Sequence, residues 1–228
     1  VSVSNGVAVS GNAQITARSD HQLTIVFSPG QSFLFITGGP EYHRCLTEME
    51  QLIRLPYEEI KERTVQWWHT FLDRMADVPA SVRDLAEDIA VLIKTQQAQE
   101  GAVLAGYNYH LGYVRDQYGV SRGLLKLGYY EEAKAILNFY FRLWKKFGYI
   151  RNAQAAGFDN IFHVHENDEV EITGYLTVQI FDYYKRTNDK DFLEEVLPMA
   201  KWAIEAQLRN QKNGMLPFNG DETYIAGG

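Results

Sequence analysis

The sequence has little sulfur, no long apolar run and a shortage of positive charge. Its one cysteine, Cys45, has no second cysteine to pair with. A disulfide-stapled scaffold is therefore excluded, and nothing in the cysteine usage calls for an oxidising compartment. No stretch of about 18 apolar residues occurs, so no segment reads as a membrane-spanning helix. Lys and Arg number 22 against 29 Asp and Glu, a formal net charge of −7. That balance argues against nucleic acid or an anionic membrane as the main partner. Gly101 and Gly106 bracket a loop, but no strand and Gly-x-Gly-x-x-Gly turn accompany them, so no phosphate cradle is read there. His163 and His165 stand beside Glu166, Asp168 and Glu169, yet no third ligand follows at helical spacing. No metal and no cofactor are assigned.

What is present suits a folded protein acting on a neutral ligand. Hydrophobic residues make up 46% of the chain, enough to build a packed core. The length of 228 residues fits one domain and part of a second. A cytoplasmic location is expected. A secretory leader stays open, because the first residue is Val1.

The organisation changes near residue 40. Before it, residues 12–18, 22–28 and 32–37 read as strands, with turns at Arg18–His21 and Ser28–Gln31. So small a set cannot stand alone, and it reads as the end of a β-sandwich or an edge sheet over residues 1–40. Residues 41–78 read as linker helices. Pro56 is placed in the first turn of the second, which runs to about Met75. Trp67 and Trp68 are read as packing for that helix.

From residue 79 to 228 the period is helical. Ser81 is expected to cap a helix with Val82, Leu85, Ala86, Ile89, Leu92 and Ile93 on one face. Further amphipathic stretches run from Ala133 to Phe147, from Ile172 to Tyr184 and from Phe192 to Ala206. The connections Leu125–Ala133 and Tyr184–Phe192 each place Gly or Asn before acidic residues, a stop signal followed by a start signal. Helix, short turn, helix, long loop is the rhythm of helical hairpins in a solenoid or ring. No strand is expected between the amphipathic segments after residue 80.

The loops carry the chemistry. Residues 105–116 hold Tyr107, Tyr109, Tyr113 and the pair Arg115-Asp116 just before a helical run. Sugars offer apolar ring faces and a rim of hydroxyls. Tyrosines beside a guanidinium fork and a carboxylate suit both. The plainer reading is a helix cap with a surface ion pair. A second loop, Asn213–Tyr224, sets Asp221 and Glu222 among turn residues and aromatics. A carboxyl kept neutral by an apolar setting can protonate a leaving oxygen.

The first loop, with the downstream run Leu127-Gly128-Tyr129-Tyr130-Glu131-Glu132-Ala133, resembles the first substrate-binding loop and following hairpin of the glucoamylase-like enzymes. These are glycoside hydrolase family 15 within the six-hairpin glycosidases. The resemblance spans about residues 60–225. This sequence has Val114 where the family has Pro, and Asp221-Glu222 where it has Trp-Glu. The resemblance implies a mainly α fold, a partial (α/α)6 toroid preceded by the end of a β-sandwich and a linker helix. It implies hydrolysis of α-linked glucosides by an inverting general acid/base mechanism. Arg115 and Asp116 would bind the terminal glucose, with Tyr107, Tyr109 and Tyr113 around it. Glu169, or its neighbour Glu171, would reach the same subsite from the next helix start. Glu222 would be the general acid and Asp221 its competitor.

An inverting pair needs a second carboxylate roughly 6.5–9.5 Å away to activate water. The resemblance puts that base late in the barrel, so it is expected beyond Gly228, and the present chain is expected to be an inactive part of the enzyme. The partner is then an oligosaccharide or glucoside. Two alternatives stand: a glycoside phosphorylase on the same scaffold, and a non-catalytic sugar-binding or helical interaction module.

Overall fold

The computed structural model describes residues 4–10, 14–19, 22–27, 29, 30, 32–39, 41–106, 110–156, 162, 163 and 168–216. It is mainly helical, with seven α-helices among the described residues and short antiparallel strands. Two compact units divide the chain, Val1–Asp73 and Arg74–Gly228.

In the first unit four strands, β1 (Ser4–Ser10), β2 (Gln14–Ser19), β3 (Gln22–Val26) and β4 (Phe33–Gly39), make two antiparallel pairs. Strand β1 pairs with β4, Ser4 opposite Gly39 and Ser10 opposite Phe33. Strand β2 pairs with β3, and the register slips between Ala17 and Ser19. Sequence reasoning missed β1, because Ser4-Asn5-Gly6 reads as a turn. Helix α1 (Tyr42–Leu52) buries Cys45 and Met49, one turn apart, and lies against the β1–β4 pair. Thr37 Oγ1 donates to the Cys45 carbonyl at 3.1 Å.

Helix α2 (Tyr57–Leu72) starts one residue after Pro56, which occupies the N-cap instead of the first turn. Glu58 and Glu59 stand in that first turn, where they complement the helix dipole. The Phe33 ring stacks on Tyr57 at 3.9 Å. Trp67 meets Trp68 edge-on at 4.7 Å and stacks on Phe71 at 5.8 Å.

The second unit opens on a 3-10 turn, Ala80–Val82, and helix α3 (Arg83–Gln96). Ser81 does not cap that helix. The cap position is Val82, no side chain caps it, and Arg83 Nε instead pairs with Glu87 at 2.6 Å. Only Ala86 and Ala90 are buried along α3, while Leu85, Ile89 and Leu92 lie exposed among the described residues.

Strand β5 (Leu111–Tyr113) runs directly into helix α4 (Val114–Leu127), and helix α5 (Tyr130–Phe147) follows. Strands β6 (Ala153–Ala155) and β7 (Phe162–His163) precede helices α6 (Thr173–Thr187) and α7 (Lys190–Arg209). Strands β5, β6 and β7 form one antiparallel sheet. They overturn the expectation that no strand would separate the helices. The strands are two or three residues long, too short for a periodicity of their own to show in the sequence.

Helix α5 is the centre of this unit. Ala133, Ile136, Leu137, Phe139 and Tyr140 are all fully buried. The α4–α5 turn is a Schellman motif: Gly128 takes φ +87° and the Tyr129 N–H reaches the Leu124 carbonyl at 2.9 Å. The α6–α7 turn puts Asn188 at φ +55°, its N–H on the Tyr184 carbonyl at 2.7 Å. Both stop signals read from the sequence are therefore real helix ends. Asp189 then caps α7, accepting from the Phe192 N–H at 3.0 Å. The same carboxylate accepts from Lys134 Nζ at 2.8 Å and from the Tyr183 hydroxyl at 3.1 Å, which ties the two hairpins together. Lys134 and the Phe192 N–H hold Asp189 below the ordinary carboxylate range.

Glu132, in the first turn of α5, is buried with its Oε1 2.6 Å from Arg74 and 3.3 Å from Lys94. Burial works to raise its pKa, but the Arg74 bond and the Lys94 charge outweigh it and hold the carboxyl low.

Candidate functional site

The site is built around the point where β5 becomes α4. Tyr113 is still extended, at φ −86° and ψ 132°. The chain is pinned there from three sides. The Val114 N–H donates to the Asn152 carbonyl at 2.9 Å, and β5 pairs with β6 from Leu111↔Ala155 to Tyr113↔Ala153. The Ala105 N–H reaches the Leu111 carbonyl at 3.0 Å. Beneath them, the buried amide of Gln117 accepts from the Val103 N–H at 2.9 Å and donates to the Val103 carbonyl.

With Val114 and Gln117 turned inward, Arg115 and Asp116 are left on the open side of the first turn of α4. Burial of part of its surroundings raises the Asp116 pKa, and the Arg115 charge works against that rise. The carboxyl is thus reachable by solvent yet has protein atoms close about it. Fully buried Tyr140, from α5, is pushed well above its ordinary pKa by burial and then by the charge of Asp116.

Arg115 faces Glu171, with Nη1 and Oε1 3.5 Å apart. Glu171 belongs to a π-helical turn, Asp168–Ile172, that leads into α6. Single π turns of this kind often accompany functional positions. Glu169 belongs to the same turn but serves α7. Its Oε2 accepts from Asn210 Nδ2 at 3.1 Å, and its Oε1 lies 3.8 Å from Arg209. Of the two glutamates, Glu171 is the one that meets Arg115.

Two further rungs follow along α4 and α6. The rings of Tyr118 and Tyr175 are 5.2 Å apart, and Arg122 Nε lies 3.9 Å from Asp182. Sequence numbers rise together on both sides, so the two helices run parallel. Arg115, Tyr118 and Arg122 are spaced by three and four residues, a helical stripe that the sequence displayed but that was not singled out. Gln117 was also missed. Nothing distinguishes a glutamine that clamps a backbone from a surface glutamine until its partner is known.

Tyr113 is half-buried. Tyr107, Tyr109, Asp221 and Glu222 lie outside the described residues, as does His165. Among the described residues no cluster of His, Cys, Asp or Glu could hold a metal ion.

The amylo-alpha-1,6-glucosidase family matches residues 86–219, more than half of the chain. The chain belongs to the amylo-alpha-1,6-glucosidase family. That is a glycoside hydrolase-like six-hairpin family, so the resemblance to six-hairpin glycosidases is borne out. The matched stretch contains Tyr107, Tyr109, Tyr113, Arg115, Asp116, Glu169 and Glu171, and stops short of Asp221 and Glu222. No curated protein and no solved structure matches the chain. Membership of the amylo-alpha-1,6-glucosidase family makes this a glycosidase-type protein with carbohydrate as its substrate class.

Proposed function

We propose that this chain carries the sugar-holding part of a glycosidase that cleaves α-linked glucosides by inversion. The supporting observation is the Arg115-Asp116 pair, held at the open first turn of α4 with Arg115 braced by Glu171 at 3.5 Å. A guanidinium fork donates to two adjacent hydroxyls, and a carboxylate accepts from two. Fixing both on a helix start that the backbone pins from three sides gives the preorganisation that sugar recognition needs. Glu171 keeps the fork oriented while the site is empty. Tyr113, with Tyr107 and Tyr109 from the same loop, supplies apolar surface for the ring.

In this reading Glu222 protonates the leaving oxygen and Asp221 is the alternative acid. The support is their place in a Gly- and Asn-rich loop flanked by Phe218 and Tyr224. The α4–α5 and α6–α7 hairpins are two members of a ring of paired helices, and the parallel α4–α6 contact is how neighbouring hairpins meet. The family name makes an α-1,6 linkage the first to test.

The test is calorimetric titration of the chain with isomaltotriose, with maltotriose as comparison. Wild type binds, and Asp116→Ala lowers affinity by at least tenfold, the effect of losing hydrogen bonds worth about 1.5–3 kcal/mol to a charged group. Binding within a factor of about three of wild type would remove Asp116 from the subsite.

A further inference from the structure

At the other end of α4 and α6 lies a second concave site. A cleft of about 400 Å³ is lined by Arg122, Leu125 and Lys126 from α4 and by Asp182, Lys185 and Arg186 from α6. Four cations face one carboxylate, on a chain whose net charge is −7. Arg122 shares Asp182 only at 3.9 Å. Lys126, Lys185 and Arg186 form no ion pair within 4 Å among the described residues, so their charge is left for a ligand in the cleft.

Cations in a last helical turn offset the helix dipole. That role alone does not account for the arrangement. The end carbonyls Leu124 and Tyr184 already accept from the N–H groups of Tyr129 and Asn188. What the dipole role leaves unexplained is that the basic side chains of two helices converge on one cleft. A compact concentration of like charge in a concavity attracts and holds a small anion of the opposite sign.

We propose that this cleft binds a phosphate monoester carried on a sugar. A monoester has close to two negative charges and three acceptor oxygens at neutral pH, which matches an excess of three cations. Arg122 and Arg186 present forks suited to phosphate oxygens. The volume is at the lower end of the roughly 300–1,000 Å³ of small-molecule sites and leaves room for a ring beyond the phosphate. Exposed Phe181 precedes Asp182 on α6, and Lys185 lies 5.8 Å from its ring, which puts apolar surface next to the cation that lines the cleft. The acidic whole-chain balance still disfavours a long polyanion.

This site is separate from the Arg115-Asp116 pair, and only the choice of a sugar as the phosphate's carrier rests on the glycosidase reading. Ten helical residues separate Asp116 from Lys126, about 15 Å along α4. A phosphate held in the cleft is thus too far away to attack a sugar at the first turn, and its binding is that of an effector or anchoring group.

The test is calorimetry of the whole chain at low ionic strength with glucose 6-phosphate, inorganic phosphate and glucose, each up to about 5 mM. Glucose 6-phosphate binds most tightly, and Lys185→Gln/Arg186→Gln lowers its affinity by at least tenfold. The melting temperature of the unliganded double variant stays near wild type, and Lys201→Gln on α7 binds normally. Lys126→Gln gives a smaller loss in the same direction. Equal binding of inorganic phosphate, equal binding of glucose, undiminished binding by the double variant, or no binding of any probe would each overturn the proposal.

Discussion

Gln117 pairs with Val103 as one peptide group pairs with another, its side-chain oxygen on the N–H and its side-chain nitrogen on the carbonyl. Both partners are buried. The clamp fixes residues 97–104 against the first turn of α4, beside Asp116. Gln117→Leu keeps the volume but strands two buried backbone groups. Its expected cost is about 2–4 kcal/mol in urea denaturation, since each orphaned group costs about 1–3 kcal/mol. Oligosaccharide affinity is expected to fall with it, because Asp116 loses its support.

Gly101 and Gly148 both have positive φ, at +106° and +75°, but only one is crowded. A Cβ on Gly101 would collide with the backbone carbonyl of Ala135 in α5, whereas one on Gly148 would meet open space. Gly148→Ala is expected to cost about 1 kcal/mol, the backbone penalty alone. Gly101→Ala adds displacement of α5 and is expected to cost about 3–5 kcal/mol. Thermal unfolding of the two variants side by side checks the difference.

Glu132 is a buried carboxylate held by two cations. Glu132→Ala is expected to cost about 2–3 kcal/mol, less than a fully enclosed pair, because Arg74 keeps nearly half its side chain in solvent. Glu132→Gln should recover part of that loss, and Lys94→Met in the Glu132→Ala background should recover more.

The Lys134–Asp189–Tyr183 cluster makes stability depend on pH at both extremes. Asp189 is held below its ordinary pKa by Lys134 and the Phe192 N–H. Its contribution is present above the unfolded-state value near 3.8 and is lost as pH falls through the lower folded value. Burial, then the Asp189 bond, pushes Tyr183 up to about 12 from 10.0. The stability it lends is present below pH 10 and is lost as pH climbs to about 12. Denaturant midpoints of wild type and Asp189→Asn should therefore diverge at neutral pH and converge in acid. Tyr183→Phe should flatten the alkaline decline.

The helices were legible because the residues that end them are local. Gly128 and Asn188 stop helices by their own conformational freedom, and both appear in the sequence where the structure puts them. The burial of α5 was legible in the same way, since Ala133, Ile136, Leu137 and Tyr140 fall on one face. What stayed hidden depends on partners distant in sequence. Strand β1 needs β4, which pairs with it across about thirty residues. Strands β5, β6 and β7 are too short to show a period of their own, and Gln117 looks like any polar residue until Val103 is placed beside it. At the candidate site the pair Arg115-Asp116 was readable from its place at a helix start, although α4 begins at Val114 and takes both residues into its first turn. The preference of Arg115 for Glu171 over Glu169 was not. Two glutamates two residues apart in a π-helical turn project differently than they would in an α-helix, and that turn has no sequence signature.

The small sheet of β5, β6 and β7 joins the segments before α4 and α6 through main-chain hydrogen bonds. Such a fastening does not depend on which side chains it carries. Leu111, which is only half-buried, can change in identity while the ladder and the start of α4 keep their course. Side chains around the start of α4 can therefore change one at a time while the backbone that carries Arg115 and Asp116 keeps its course.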